Sequence, residues 1–233
     1  MSRESQRRPF GWIGTVCAGV LLTPTVIAQT EPNTVQNVPP ISMPMDRAED
    51  SYTIYSQLMP GDEFRSSIWP RKLWLIENTT TAAPLVEPCK PVEGDRHPGL
   101  MVNPHNAISA PLDRIDDLME LLKDYDQHCH DRIRLDAAKF HLPVPLRLLN
   151  EKQRKRFQGS RLAERGKRVP PEFDGAPGVN SFSEVYFNAA HTLALVHAAQ
   201  SCGTSCGNWY WTVLERKDGA WHTLPWVNVT TVS

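Results

Sequence analysis

The sequence contains no glycine-rich phosphate loop, no His-Glu-x-x-His and no Gly-x-Ser-x-Gly. That removes the motif-level case for a nucleotide-phosphate site, a zinc protease or a serine-hydrolase elbow. It also lacks a charge bias, since 25 Lys and Arg face 26 Asp and Glu for a formal charge of −1. Such a balance gives no general drive toward nucleic acid or an anionic membrane. Long apolar runs are almost absent. The one candidate, residues 11–27, is about 17 residues long and is broken by Gly14, Gly19 and Pro24, short of the ~20 that a spanning helix needs. Cysteine is scarce, with five in 233 residues.

That apolar run follows Arg3, Arg7 and Arg8 and ends in Val26-Ile27-Ala28 before Gln29. A basic head, an apolar middle and a small residue at the cleavage point are the layout of a secretory signal peptide, expected over residues 1–28. Its removal takes three Arg and one Glu and leaves 22 basic and 25 acidic residues, a charge of −3. The expectation is therefore an exported protein, periplasmic or extracellular, and not an integral membrane protein after cleavage. Removal also takes Cys17, leaving Cys89, Cys129, Cys202 and Cys206. An even count in an oxidising compartment predicts two disulfides. Three pairings are possible, of which Cys202 with Cys206 and Cys89 with Cys129 are favoured. Gly203-Thr204-Ser205 makes a flexible turn between the first two. Loop-closure entropy assigns about 2 kcal/mol to the short ring and about 4 kcal/mol to the long one.

Residues 29–50 are rich in Pro, Asn, Gln and Thr without apolar periodicity, which predicts a disordered lead-in. A single domain is expected over 51–233. Ser51 to Leu58 is open between strand, by the propensity of Tyr52 to Tyr55, and helix, by the spacing of Tyr52, Tyr55 and Met59. Pro60-Gly61 is a turn signal, Leu73 to Glu77 reads as a strand, and the proline-rich 82–110 reads as loop. Ser109 is the expected cap of a helix over about 110–126, in which Leu112, Ile115, Leu118, Met119 and Leu122 recur at helical spacing. That helix carries Asp113, Asp116, Asp117, Glu120, Asp124 and Asp126 against Arg114 and Lys123. Ile133 to Leu135 is a short strand, and Asn150 with Gln153 is a capping box for a second helix through Phe157. Segment 150–168 holds eight basic and two acidic residues. It reads as a solvated element facing the acidic helix, with an anion site as the sharper alternative. The C-terminal third predicts strands at 185–187, 192–199, 209–215 and 220–224, with turns at Asn188 to His191 and Lys217 to Gly219. The fold class is thus α+β, with an antiparallel β-meander at the C-terminus and at least two helices in the middle.

The densest group of ligand-type residues is His128-Cys129-His130-Asp131. A zinc centre requires three or four converging ligands, with His97 and His105 as the remaining candidates. Spacing of two residues points the imidazoles apart, and a Cys89–Cys129 disulfide would occupy the thiol. Cys202 and Cys206 have three intervening residues and lie between strands, which suits a structural clip better than a redox pair. A Cys or Ser nucleophile with His197 or His222 as base is conceivable, but no spacing requires it. Trp209, Tyr210, Trp211, Trp221 and Trp226 make the last strands aromatic-rich. Packing a sheet is the commoner use of such residues. Trp209 and Trp211 are the candidates for contact with a protein or glycan partner.

Four C-terminal stretches resemble a group of uncharacterised exported bacterial proteins. They are Phe182-Ser-Glu-Val-Tyr-Phe-Asn188, Thr192-Leu-Ala-Leu-Val196, Cys202-Gly-Thr-Ser-Cys206-Gly207 and Leu214-Glu-Arg-Lys-Asp-Gly-Ala-Trp221. Asp50-Ser-Tyr-Thr-Ile-Tyr-Ser56 and Leu75-Ile-Glu-Asn-Thr-Thr80 are similar to the opening segment of the same group. The resemblance covers about a third of the chain and implies a terminal sheet with a Cys-Gly hairpin loop, but no catalytic residues. The expectation for function is a non-enzymatic binding or envelope-associated module without a cofactor. The alternative is an extracytoplasmic hydrolase or metal-dependent enzyme using His residues.

Overall fold

In the computed structural model the described residues are 39–59, 72–83, 88–90, 103–162, 170–203, 206–228 and 231–232, all within the unit Val35–Ser233. For residues 160–162, 203, 206, 227–228 and 231–232 the backbone alone is described. The expected signal peptide, most of the lead-in, the Pro60-Gly61 turn and His97 lie outside the described residues.

The strands and helices follow one another as β1 (Ile41–Ser42), α1 (Met45–Leu58), β2 (Trp74–Glu77), α2 (Pro104–Ala107) and β3 (Ile108–Ser109). Next come α3 (Ile115–His128), β4 (Ile133–Arg134), β5 (Leu146–Leu149) and α4 (Glu151–Leu162). The C-terminal part holds β6 (Val179–Phe182), β7 (Tyr186–Phe187), β8 (Leu193–Gly203), β9 (Cys206–Lys217), β10 (Ala220–Thr223), β11 (Val227–Asn228) and β12 (Thr231–Val232). No helix among the described residues is long and apolar enough to cross a membrane.

The C-terminal meander is present: β10, β9, β8 and β6 pair antiparallel in that order. Asp218 and Gly219, at φ 51° and 80°, turn β9 into β10. Left-handed backbone at both central residues is what a tight hairpin matching the strand twist needs. Beyond the meander the sheet is mixed, because β2 pairs parallel with both β6 and β5. Parallel neighbours require a crossover. The chain between β2 and β5 contains α3, and the chain between β5 and β6 contains α4.

Alternation sorts the sheet into two faces. Trp74, Ile76, Phe182, Ala194, Val196, Ala198 and Leu214 pack with Tyr52, Ile54, Tyr55 and Met59 from α1 and its C-cap. On the other face, Leu193, Leu195, Trp211 and Val213 meet Leu118, Leu121, Leu122 and Tyr125 of α3. Farther along that face, Leu75, Leu149 and Val179 meet Phe157 of α4 and Phe173. Burying each Leu or Phe side chain contributes about 1.5–3 kcal/mol.

Several local expectations change. The lead-in expected through residue 50 is ordered from at least residue 39, because Ile41 and Ser42 pair with Ile133 and Arg134 and α1 begins at Met45. Segment 51–58 resolves as helix, and its Tyr52 and Tyr55 are buried together with Met59 at the C-cap. Ser109 caps nothing. It lies in β3, and the acidic helix starts with a 3-10 turn at Leu112–Arg114. That helix buries Leu118, Leu121, Leu122 and Tyr125, while Leu112, Ile115 and Met119 stay exposed on a face turned away. The capping box of α4 forms as expected: Gln153 N donates to Asn150 Oδ1 at 2.9 Å, and Asn150 N to Gln153 Oε1 at 3.0 Å. Three basic residues of α4 pair with carboxylates outside α3: Lys155, Arg156 and Arg154 with Glu151, Glu172 and Glu77.

Candidate functional site

Two polar regions stand out, one neutral and one charged. The neutral one lies on the α1 face of the sheet. Register places Asn180 opposite Gln200 and Gln200 opposite Asn208, an amide row across β6, β8 and β9. One step along, Phe182, Ala198 and Tyr210 form a second, largely apolar row. Leu58 and Met59, at the end of α1, wall the resulting half-open pocket, whose volume is about 70 Å³. Gln200 Nε2 donates to Asn180 Oδ1 at 3.3 Å, and Asn180 Nδ2 donates to the Leu75 carbonyl at 3.0 Å. Asn180 is buried, whereas Gln200, Asn208 and Tyr210 are partly or wholly exposed. Burial pushes the Tyr210 hydroxyl above its ordinary pKa, so it stays protonated.

The charged region joins α1, α3 and the β6–β7 connection. Arg47 donates from Nη2 to both Asp124 oxygens, at 2.6 and 2.8 Å, and from Nη1 to Glu184 Oε1 at 2.7 Å. The same Asp124 Oδ2 accepts the Phe187 N–H at 2.8 Å. His128, one turn along α3, sits 3.7 Å from Asp124 Oδ1 and bonds Asp131 Oδ2 through Nδ1 at 2.8 Å. Glu184 is buried at 2% exposure. Burial raises its pKa, and Arg47 opposes the rise. Ligand-type atoms of His128, Asp131 and Glu184 lie within 4.8 Å of one another. His128 and Asp131 belong to the cluster prominent in the sequence. Glu184 carries no local signal of partnership, because only the packing of β7 against α3 brings its loop to them.

The other expected site residues disperse. Cys89 and Cys129 are joined in a disulfide with Cα atoms 5.9 Å apart, so neither offers a thiolate. Cys202 is disulfide-bonded as well, while the Cys206 side chain lies outside the described residues. His130 turns away from His128 to the Ala83 carbonyl, at 3.1 Å. His105 bonds Asp126 at 2.7 Å. His222 is exposed on β10, and His197 is buried against Trp211. No partner is found for His197 Nδ1 among the described residues, and burial lowers its pKa to about 4. Trp211, expected as a partner contact, is 2% exposed and packs edge-on to Tyr125. It is a core residue because its strand parity directs it toward α3. Trp209 is half-buried on that same side, opposite Ala199. The aromatic residue of β9 on the open pocket is Tyr210 instead.

No protein-family model, no curated protein and no solved structure matches this chain.

Proposed function

We propose that this is an exported, non-enzymatic binding module that takes a glycan on the amide floor of Asn180, Gln200 and Asn208 beside Tyr210. The supporting observation is the juxtaposition of an amide row with an aromatic and apolar row on one open sheet face. Each side-chain amide combines donors and an acceptor, the pairing that vicinal sugar hydroxyls require. Tyr210 adds an apolar ring with a polar tip, suited to a half-wet surface. The lining groups are neutral and hold their protons across physiological pH, so they suit recognition rather than proton transfer. A volume of about 70 Å³ holds a few waters. It therefore accommodates one pendant arm of a larger polysaccharide rather than a whole small ligand. Export belongs to the same proposal, supported by the basic head and apolar run of residues 1–28.

Calorimetric titration with soluble oligosaccharides of neutral and acetamido sugars tests the site. Tyr210→Ala and Asn208→Ala should each weaken binding at least tenfold with little change in the unfolding midpoint, while Trp209→Ala retains it. Full binding by Tyr210→Ala rules the floor out. Mass spectrometry of the exported product should place the mature N-terminus near Gln29.

A further inference from the structure

The charged junction contains one group that its ion pairs leave over. Glu184 Oε2 is buried and accepts no hydrogen bond among the described residues, although Oε1 holds Arg47. A buried carboxylate oxygen without a partner is costly. The local charge points the same way. Asp124 and Glu184 share the guanidinium of Arg47, and Asp131 adds a third carboxylate beside His128. Asp124 grips Arg47 through both oxygens, so the guanidinium is already matched before Glu184 and Asp131 are counted.

We infer that His128, Asp131 and Glu184 form a binding site for a divalent transition-metal ion, zinc in preference to calcium. One imidazole and two carboxylates are a set that zinc accepts, with its fourth position left to water. Calcium seeks six to eight oxygens and has little use for a nitrogen. A tetrahedral centre with bonds of about 2.1 Å sets its ligand atoms ~3.4 Å apart, inside the 4.8 Å within which these atoms lie, and the 2.8 Å bond between His128 Nδ1 and Asp131 Oδ2 gives way to the ion. His128 and Asp131, each about a third exposed, form the solvent side of the site, while buried Glu184 forms its floor. Asp124, 3.7 Å from His128 Nε2, is placed to orient the imidazole from outside. The site is separate from the amide floor, and neither result decides the other.

The test is calorimetric titration of chelator-treated protein with Zn²⁺ and, separately, Ca²⁺. One zinc equivalent is expected, with Ca²⁺ at least tenfold weaker. His128→Ala and Glu184→Gln should each weaken zinc binding at least tenfold. His105→Ala, whose imidazole pairs elsewhere with Asp126, should bind as the parent does. Glu184→Gln keeps an amide oxygen for Arg47, and a thermal melt without metal establishes that it folds. If it does not fold, Asp131→Asn, at the exposed rim, gives the same reading. Absence of zinc binding, unchanged binding by His128→Ala, or a preference for Ca²⁺ overturns the assignment.

Discussion

The charged junction and the amide floor solve the burial of polar groups in opposite ways. At the junction, Arg47, Asp124 and Glu184 are largely withdrawn from water. Charge in that setting is tolerated only when paired, so the side chains are locked to one another across α1, α3 and the β6–β7 connection. On the floor, the groups are neutral and reach solvent at one edge. Removing an amide from water costs far less than removing an ion, so Gln200 and Asn208 can exchange water for a ligand without loosening the fold. Among the described residues the junction is thus a fastener with one unsatisfied oxygen, and the solvent side of the floor, Gln200 and Asn208, is a surface on which the fold depends little.

That contrast breaks first at Arg47. Arg47→Ala leaves Asp124 and Glu184 facing each other and should cost about 3–5 kcal/mol in urea denaturation. A loss below about 1 kcal/mol would mean that water reaches the junction freely. Next in size is the staple beside it. Replacing Cys89 and Cys129 together, at a sequence separation of 40, should cost about 4 kcal/mol by loop-closure entropy, read as a lower denaturation midpoint.

His197 lies between the two cases, a buried ring whose Nδ1 has no partner among the described residues. Its pKa falls from 6.5 to about 4 on folding. The unfolded chain therefore binds the proton first, and stability is lost as pH falls from the unfolded value through the folded one. The loss should reach about 3 kcal/mol near pH 4. Denaturation curves of His197→Leu at pH 7 and pH 4.5 should lack that component of the acid sensitivity. An identical pH dependence in variant and parent would place the ring in contact with water.

Within the floor the effects should be small and graded. Asn180→Ala removes the bond to the Leu75 carbonyl in a buried position and should cost about 1–2 kcal/mol. Gln200→Ala and Asn208→Ala, nearer solvent, should each change stability by under about 0.5 kcal/mol. A larger loss at Asn208 would make the floor structural and erase the contrast with the junction.

Much of the secondary structure is legible in the chain. Asn150 with Gln153 marks the start of α4, Asp218-Gly219 marks a hairpin, and the apolar repeat through Leu118 and Leu122 marks α3. The repeat misleads at Leu112, Ile115 and Met119, since helical spacing fits two neighbouring faces and only packing selects one. The aromatic run at 209–211 misleads in the same way. Alternation separates Trp211 from Tyr210, but it cannot say which side of the sheet α3 will cover. The parallel pairing of β2 with β5 and β6 leaves no trace in either strand, because its partners are brought together by crossovers through α3 and α4.

What the sequence determined by itself is local: the helix start at Asn150, the turn at Asp218, and a short set of cysteine pairings. Each depends on residues close along the chain, or on counting. What the tertiary structure decided is convergence. Glu184 meets His128 and Asp131 because β7 packs on α3, and Asn180, Gln200 and Asn208 align because three strands share one register. Alternation assigns every strand residue to one of two sides. Which side becomes core, and which polar groups meet there, is set by the layer that packs against it.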